Sequence, residues 1–283
     1  DEIETLARGF ARLGVRKLRL TGGEPLLRKR LPELVARLAR IDGIDDLALT
    51  TNGSLLATHA IALREAGLRR ITVSLDTLDP DAFRALSGGR GELRDVLAGI
   101  EAASAAGFGP IKINCVVQRG VNDGGIEALA AFARDHGHVL RFIEYMDVGT
   151  CNGWSRARVV PSAELRDRIA VHWPLRALDA NYRGEVAERY AYADGRGEVG
   201  FVSSVSAPFC GDCHRARVSA DGQLYTCLFA GQGHDLRGVL ARGEDALAQH
   251  VAGLWRARAD RYSEVRSEAG ASRKHVEMYL VGG

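Results

Sequence analysis

Lys17-Leu18-Arg19-Leu20-Thr21-Gly22-Gly23-Glu24-Pro25 is the stretch whose reading decides the fold. Four residues alternate between cationic and apolar, so a strand here puts Leu18 and Leu20 on one face and Lys17 and Arg19 on the other. The glycines that follow let a ligand approach the backbone, and the Glu24 carboxylate can accept hydrogen bonds from a cationic amine. Taken alone, the segment reads better as a plain strand-to-helix turn with glycines for geometry. It is not alone. Working outward, Val15 to Leu20, Asp46 to Thr51, Arg70 to Leu75, Ile111 to Val117 and Val139 to Met146 all read as strands. Between them, Leu31 to Arg40, Thr58 to Ala66, Glu92 to Ala106 and Ile126 to His136 carry apolar residues at helical spacing. Repeated β/α order of this kind predicts a parallel sheet with right-handed crossovers, with function in the loops after the strands. Those loops are polar here: Thr50-Thr51-Asn52-Gly53, Ser74-Leu75-Asp76 and Glu144-Tyr145-Met146-Asp147 join the Thr21-to-Pro25 turn at one rim.

A strand buried on both faces is nearly all apolar, and Arg19 and Lys112 break that rule. Alternation sets Lys112 with Asn114 against Ile111, Ile113 and Cys115, so one face of the sheet is polar. Cations facing a lumen need acidic partners, for which Glu24 and Glu144 are available, or an anionic ligand. After Asp147 the rhythm changes. Gly149 to Arg158 reads as loop, Ser162 to Ala170 as helix, the stretch to Leu228 as irregular or short strand, and Asp245 to Arg258 as a late helix. The expectation is a barrel-like part over residues 1–147 and a smaller, metal-dependent part over 148–283, sharing an interface.

The metal expectation rests on Cys210-Gly211-Asp212-Cys213 followed by Cys227. A pair separated by two residues grips one centre from a tight turn, and a third thiolate completes the site. An iron-sulfur cluster, a zinc ion with His214 or His234 as fourth ligand, and simple packing all remain open at this point. Five cysteines is an odd count with no secretory leader, which argues against a disulfide framework. Cys115 and Cys151 read as packing residues. Arg215-Ala216-Arg217 stands between the second and third cysteines. Alternation on a strand aims both guanidiniums one way, a geometry suited to phosphate.

Other features narrow the class. The formal charge of +2, from 38 basic and 36 acidic residues, supplies no global field for nucleic acid or an anionic membrane. No apolar run reaches the roughly 18 residues of a membrane span, so a cytoplasmic protein is expected. The chain opens on Asp1 rather than Met and enters almost at once into an amphipathic helix, which sets the expectation of a lost upstream segment. At the other end, Tyr279-Leu280-Val281-Gly282-Gly283 reads either as a frayed terminus or as a tail inserted into the lumen, where glycines pass without a Cβ.

Together these segments resemble the GTP 3′,8-cyclases, radical S-adenosylmethionine (SAM) enzymes of molybdenum cofactor biosynthesis. The likeness runs from Arg19 to Pro25 through Leu49-Thr50-Thr51-Asn52-Gly53, Val73-Ser74-Leu75-Asp76, Arg141 to Gly149 and the three cysteines to the final Gly282-Gly283. It implies an α/β fold, an incomplete (βα)6 TIM-like partial barrel with a C-terminal iron-sulfur region. By that resemblance Gly23, Ser74 and Met146 contact SAM. Arg19, Thr50, Lys112, Arg215, Ala216 and Arg217 contact GTP, and Gly282 and Gly283 reach the active site. Cys210, Cys213 and Cys227 hold a [4Fe-4S] cluster whose free iron meets guanine. The family reaction, of the lyase class, uses a second [4Fe-4S] cluster to cleave SAM. The resulting 5′-deoxyadenosyl radical abstracts a ribose hydrogen, and the product is (8S)-3′,8-cyclo-7,8-dihydroguanosine 5′-triphosphate. The resemblance further implies a reductant protein, a homodimer, and a cyclic pyranopterin monophosphate synthase that acts on the product. The C-x3-C-x2-C motif that holds the SAM-cleaving cluster in the family does not occur in these residues. In family order it precedes Asp1, together with the first strand and helix, so five strands are expected here and the chain alone is expected to be inactive. Two other readings compete: a peptide-modifying radical SAM enzyme, whose extension carries more cysteines, and a non-catalytic nucleotide- or zinc-binding remnant.

Overall fold

A computed structural model describes residues 1–149, 152–266 and 276–282; Cys151 and Gly283 lie outside the described residues. The five expected strands form as β1 (Lys17–Leu20), β2 (Asp46–Thr51), β3 (Arg70–Ser74), β4 (Lys112–Val117) and β5 (Val139–Glu144). They pair in parallel and in chain order. Helices α1 (Glu2–Arg12), α2 (Leu31–Leu38), α3 (Leu56–Glu65), α4 (Pro80–Leu86), α5 (Leu93–Ala105) and α6 (Ile126–Asp135) precede or alternate with them. The change of rhythm after Asp147 does not end the sheet. Beyond α7 (Ser162–His172), β6 (Leu175–Leu178), β7 (Glu188–Tyr192) and β8 (Glu198–Val202) extend it, giving the order β1-β2-β3-β4-β5-β8-β7-β6. β8 runs parallel to β5, so the arc has six parallel strands where five were expected, and β7 and β6 close it as an antiparallel hairpin.

Strand alternation sorts the two faces as the sequence pattern requires. Leu47, Leu49, Ile71, Val73, Ile113, Cys115, Val117, Leu140, Phe142, Val199 and Phe201 are buried against the helices, meeting Val35, Leu56, Leu63, Val96, Ile100, Leu129 and Ile169. The opposite face lines a lumen and carries Arg19, Thr50, Lys112, Asn114 and Arg141. Parallel register sets these in lateral rows: Thr50 beside Thr72 beside Lys112, then Ser74 beside Asn114 beside Arg141 beside Gly200.

The remainder forms a small sheet of β9 (Arg217–Val218), β10 (Gln223–Tyr225) and β11 (His234–Asp235), followed by α8 (Arg237–Leu240), α9 (Glu244–Arg256), α10 (Tyr262–Val265) and α11 (Met278–Val281). Its own core of Leu224, Leu236, Val239, Leu247 and Val251 packs against Leu6 and Phe10 of α1. Ion pairs from Arg12 to Glu244 (3.3 Å) and Asp245 (3.1 Å) flank that contact. The first helix therefore joins the two ends of the chain, as the expected interface requires. Among the described residues, no helix is long and apolar enough to cross a membrane.

Candidate functional site

The polar rim assembles from side chains at the C-terminal ends of β1, β2, β3 and β5. Glu24 spends both carboxylate oxygens within the protein, accepting from Leu26 N (3.0 Å), Thr51 Oγ1 (2.7 Å) and Asn52 N (2.8 Å). It ties the glycine turn to the end of β2. Glu144 does not pair with the lumen cations either. Fully buried, it accepts from Ser162 N at the start of α7 and from Val205 N and Ser206 N, each at 2.8 Å, and from the Ser206 hydroxyl. Of the two alternatives for the lumen cations, ion pairs with Glu24 or Glu144 do not form, because each carboxylate lies beside N–H groups that need an acceptor. Gly23 and Ser74 are exposed at the rim and Met146 is half-buried there.

Asp76 donates nothing to the lumen. Its Oδ1 accepts from Val116 N (2.8 Å), and burial pushes its pKa up to about 6. Asn122 Nδ2 supports the same turn by donating to the Asp76 and Val116 carbonyls. Cys115 is buried beneath it, so its packing role holds.

Inside the lumen, Arg19 Nη1 donates to Thr50 Oγ1 (3.1 Å). Arg19 stays open to water although protein surrounds it on several sides, and its pKa is lowered by desolvation first and then by Arg141 and Arg70. Lys112 falls to about 8, through desolvation and then the same two arginines, with Glu185 opposing. Arg217 falls to about 10, through burial, then Arg215, with Arg19 also lowering it. That last influence means that Arg217 and Arg19 lie close enough for their charges to repel. Cations gathered this closely lose solvation and repel one another, so an anion entering among them recovers both.

The sequence reading missed Arg141, which lies in the same row as Ser74 and Asn114. The signal was present: Arg141 is a charged residue inside a strand, like Arg19 and Lys112. Arg70, a second omission, is held by a forked pair to Asp46. The Asn114 Oδ1 atom is buried with no hydrogen-bond partner among the described residues, an acceptor on the lumen wall.

The cysteines lie beside this lumen. Cys210 and Cys213 bracket a single 3-10 turn, Cys210–Asp212, and Cys227 follows β10; all three are half-buried. Cys213 Sγ accepts from Arg215 Nη2 (3.4 Å) and Cys227 Sγ accepts from Phe229 N (3.4 Å). Burial acts to raise the Cys213 pKa, but Arg215, and behind it Arg258, outweighs burial and lowers it. Cys227 goes the other way, raised by burial first, with Cys210 and Cys213 among the neighbours that add to it. The two arginines are not aligned by one strand as expected. Only Arg217 belongs to β9, while Arg215 sits in the irregular segment before it and lies over the Phe209 ring at 5.4 Å, with Ala216 exposed between them.

Among the described residues, no three His, Cys, Asp or Glu side chains converge to hold one metal ion. His214 is engaged elsewhere, its Nε2 at 2.9 Å from the Arg183 carbonyl. The N–H···S bonds to Cys213 and Cys227 are of the kind that steady thiolates bound to a metal ion or a cluster.

A segment that sequence reasoning missed clasps this region. Arg258 Nη1 donates to the Cys213 carbonyl, Thr226 Oγ1 donates to Asp260 (2.6 Å), and Gly211 N donates to Glu264 (3.2 Å). Tyr262 OH (2.6 Å) and Arg266 Nε (2.9 Å) both donate to Asp147, next to Met146, and Arg266 Nη1 donates to the Ser204 carbonyl. No local motif marks these residues, which meet the cysteines only through tertiary folding. The tail also turns inward. Gly282 is buried at φ +73°, and a Cβ there would collide with Thr21 Cγ2 and come within 3.2 Å of Gly22 N.

A parallel arc with its polar groups at the C-terminal rim is the architecture of the radical SAM class. Residues 1–133 match the family model for the radical SAM superfamily, and residues 138–264 match that for Molybdenum Cofactor Synthesis C. A solved structure described as native anSMEcpe with bound AdoMet shares the fold, with a TM-score of 0.56 at 15% identity over 98% of this chain and 84% of that one. The chain is 67% identical over its whole length to the GTP 3′,8-cyclase of Xanthomonas campestris pv. campestris (strain B100), covering 84% of that protein. It is 56% identical to the GTP 3′,8-cyclase of Acidothermus cellulolyticus, covering 86% of it, and 48% identical to that of Synechococcus sp. (strain WH7803), covering 87%. The chain belongs to the GTP 3′,8-cyclase family. Membership of the radical SAM superfamily implies a [4Fe-4S] cluster and SAM.

Proposed function

We propose that the full-length protein cyclises GTP to (8S)-3′,8-cyclo-7,8-dihydroguanosine 5′-triphosphate in molybdenum cofactor biosynthesis, in the cytoplasm. One observation supports this above the rest: Arg217 feels the charges of Arg19 and of the Cys213 and Cys227 thiols, and Arg19, Lys112 and Arg141 line one face of the sheet. A triphosphate offsets the crowded cations, and its base then falls toward the three cysteines. In this reading residues 1–147 form the radical SAM part and 148–283 the cluster- and GTP-binding part. Arg19, Lys112, Arg215 and Arg217 take the phosphates, Thr50 holds Arg19 in place, and the Ala216 backbone borders the nucleotide. Cys210, Cys213 and Cys227 hold a [4Fe-4S] cluster that offers guanine an open iron. Gly23, Ser74 and Met146, grouped at the rim, hold SAM, and the Gly282-Gly283 tail enters beside Thr21. When bound, SAM and a second [4Fe-4S] cluster would supply the one-electron chemistry that removes a ribose hydrogen. A reductant protein feeds that step, and a cyclic pyranopterin monophosphate synthase takes the product.

Anaerobic reconstitution with iron and sulfide, followed by equilibrium titration with GTP and ATP, tests the reading. For these 283 residues, whose one set of three neighbouring cysteines is Cys210, Cys213 and Cys227, one four-iron cluster and selective GTP binding are expected. Arg217→Ala should weaken GTP binding about ten- to a hundred-fold, the loss of one charge-assisted contact worth about 1.5 to 3 kcal/mol. Stoichiometric zinc that iron does not displace, or equal affinity for ATP, rejects it.

A further inference from the structure

The loop between β6 and β7, residues 179–186, crosses the open side of the barrel. In it Tyr182 lies under Lys17 of β1, with the ammonium 3.5 Å from the ring centroid. β1 and β6 are the two outermost strands of the sheet, so this contact bridges its edges. Tyr182 and the two residues after it also rest on the cysteine turn. The Tyr182 and His214 rings are 6.0 Å apart, and Arg183 Nε donates to Asp212 (3.1 Å). Gly184 adopts φ +78°, and a Cβ there would stand 2.5 Å from the Asp212 carbonyl oxygen and 2.7 Å from the His214 ring. Only glycine lets the loop settle this close to the turn.

What the loop delivers to the lumen is Glu185, whose side chain is 2% exposed. Asn181 holds the carboxylate from its backbone N (2.7 Å) and its Nδ2 (3.3 Å). Arg141 Nη2 approaches Glu185 Oε1 only to 3.5 Å, the outer limit of a hydrogen bond. Elsewhere this chain makes forked arginine–carboxylate pairs, as between Arg119 and Glu164 at 3.0 and 2.6 Å. The other carboxylates near the lumen cations, Asp46 and Glu198, are taken by such forks with Arg70 and Arg189. Glu185 thus supplies charge to Arg141 without filling its donor geometry. Behind it lies a cavity of about 330 Å³, lined in part by Ala177, Leu178, Ser203, Ala207 and Phe209, with room for a displaced side chain.

We propose that Glu185 is a stand-in for a substrate phosphate: in the nucleotide-free protein it neutralises Arg141, and the triphosphate enters by displacing it and loosening the 179–186 loop from the lumen. This rests on the phosphate-binding reading of the lumen given above. A carboxylate among the cations lowers the cost of the empty state, and a phosphate that replaces it makes the forked contact Glu185 does not. The loop then reports nucleotide occupancy to the cysteine turn and to β1, which it touches through Tyr182 and the residues beside it.

The test is Glu185→Gln in the reconstituted full-length protein, titrated with GTP, GDP, GMP and guanosine. Removing the competing charge should tighten GTP binding on the order of ten-fold, GDP and GMP progressively less, and guanosine not at all. In the wild type, GTP but not guanosine should raise backbone hydrogen exchange over residues 179–186, a readout that does not depend on the variant folding. Unchanged or weakened GTP affinity in the variant, or greater protection of the loop on GTP binding, overturns the inference. A wild type that binds no GTP overturns the reading of the lumen itself and is told apart by that result.

Discussion

Replacing Asp147 with Asn removes the charge that holds the cluster region to the barrel rim. Asp147 and Arg266 form a buried pair, with side chains 14% and 9% exposed, and the guanidinium also lies over the Phe229 and Tyr262 rings at 5.0 and 5.6 Å. The amide keeps the shape and an acceptor oxygen but leaves the buried guanidinium, which also donates to the Ser204 carbonyl, without its counter-charge. Breaking one side of such a pair costs about 3 to 5 kcal/mol, because the surviving charge stays desolvated. The loss should fall on the clasp first, since α10 also holds Gly211 N through Glu264 and stacks Tyr262 on Phe229 at 4.8 Å. Local opening there should become roughly a hundred- to a thousand-fold more frequent, read as lost hydrogen-exchange protection at Gly211 and Phe229. Adding Arg266→Met to the Asn variant removes the stranded charge and should recover much of that protection. Unchanged protection in the single variant, or a further loss in the double, refutes the clasp.

Two more outcomes follow from the lumen and the tail. GTP affinity should fall as pH rises through about 8, where Lys112 gives up its proton, and binding near that pH should take up protons, measurable by calorimetry in buffers of different ionisation heat. The same lowered value means that the unfolded chain holds a proton the native chain has released between about 8 and 10.5, so stability of the nucleotide-free protein rises with pH there; affinity independent of pH from 7 to 9 would remove Lys112 from the site. Gly282→Ala sets a Cβ against Thr21 at φ +73°, a strain of about 2 to 4 kcal/mol. Cyclisation by the full-length protein should drop at least ten-fold with iron content unchanged, and full turnover would return the tail to a frayed end.

How far the sequence carried depended on whether a signal was periodic. The alternation of Lys17 to Leu20 and of Lys112 to Val117 fixed both the strands and their two faces, because burial on one side leaves period two no freedom. β6, β7 and β8 were harder to read. Leu175–Leu178 has two exposed residues on an edge strand, and its apolar content is too low to stand out from the loops around it. Whether such a segment joins the sheet depends on the hairpin to β7 and the parallel contact of β8 with β5, both settled by tertiary pairing.

The site divides along the same line. Cys210, Cys213, Arg215 and Arg217 are near neighbours in the chain, so spacing alone singled them out. Arg141 carried a strand-interior charge and was open to the argument that found Arg19 and Lys112. Glu24 and Glu144 misled, because a carboxylate next to lumen cations in sequence has two kinds of donor in reach. The free N–H groups of Asn52, Ser162, Val205 and Ser206 won both residues. With those acids spent on the backbone, the lumen keeps its positive excess apart from Glu185, which arrives 44 residues after Arg141 on a hairpin loop. A barrel that fixes its rim with its acids leaves its cations for a ligand, and the choice of that ligand then falls to the loops that cover the opening.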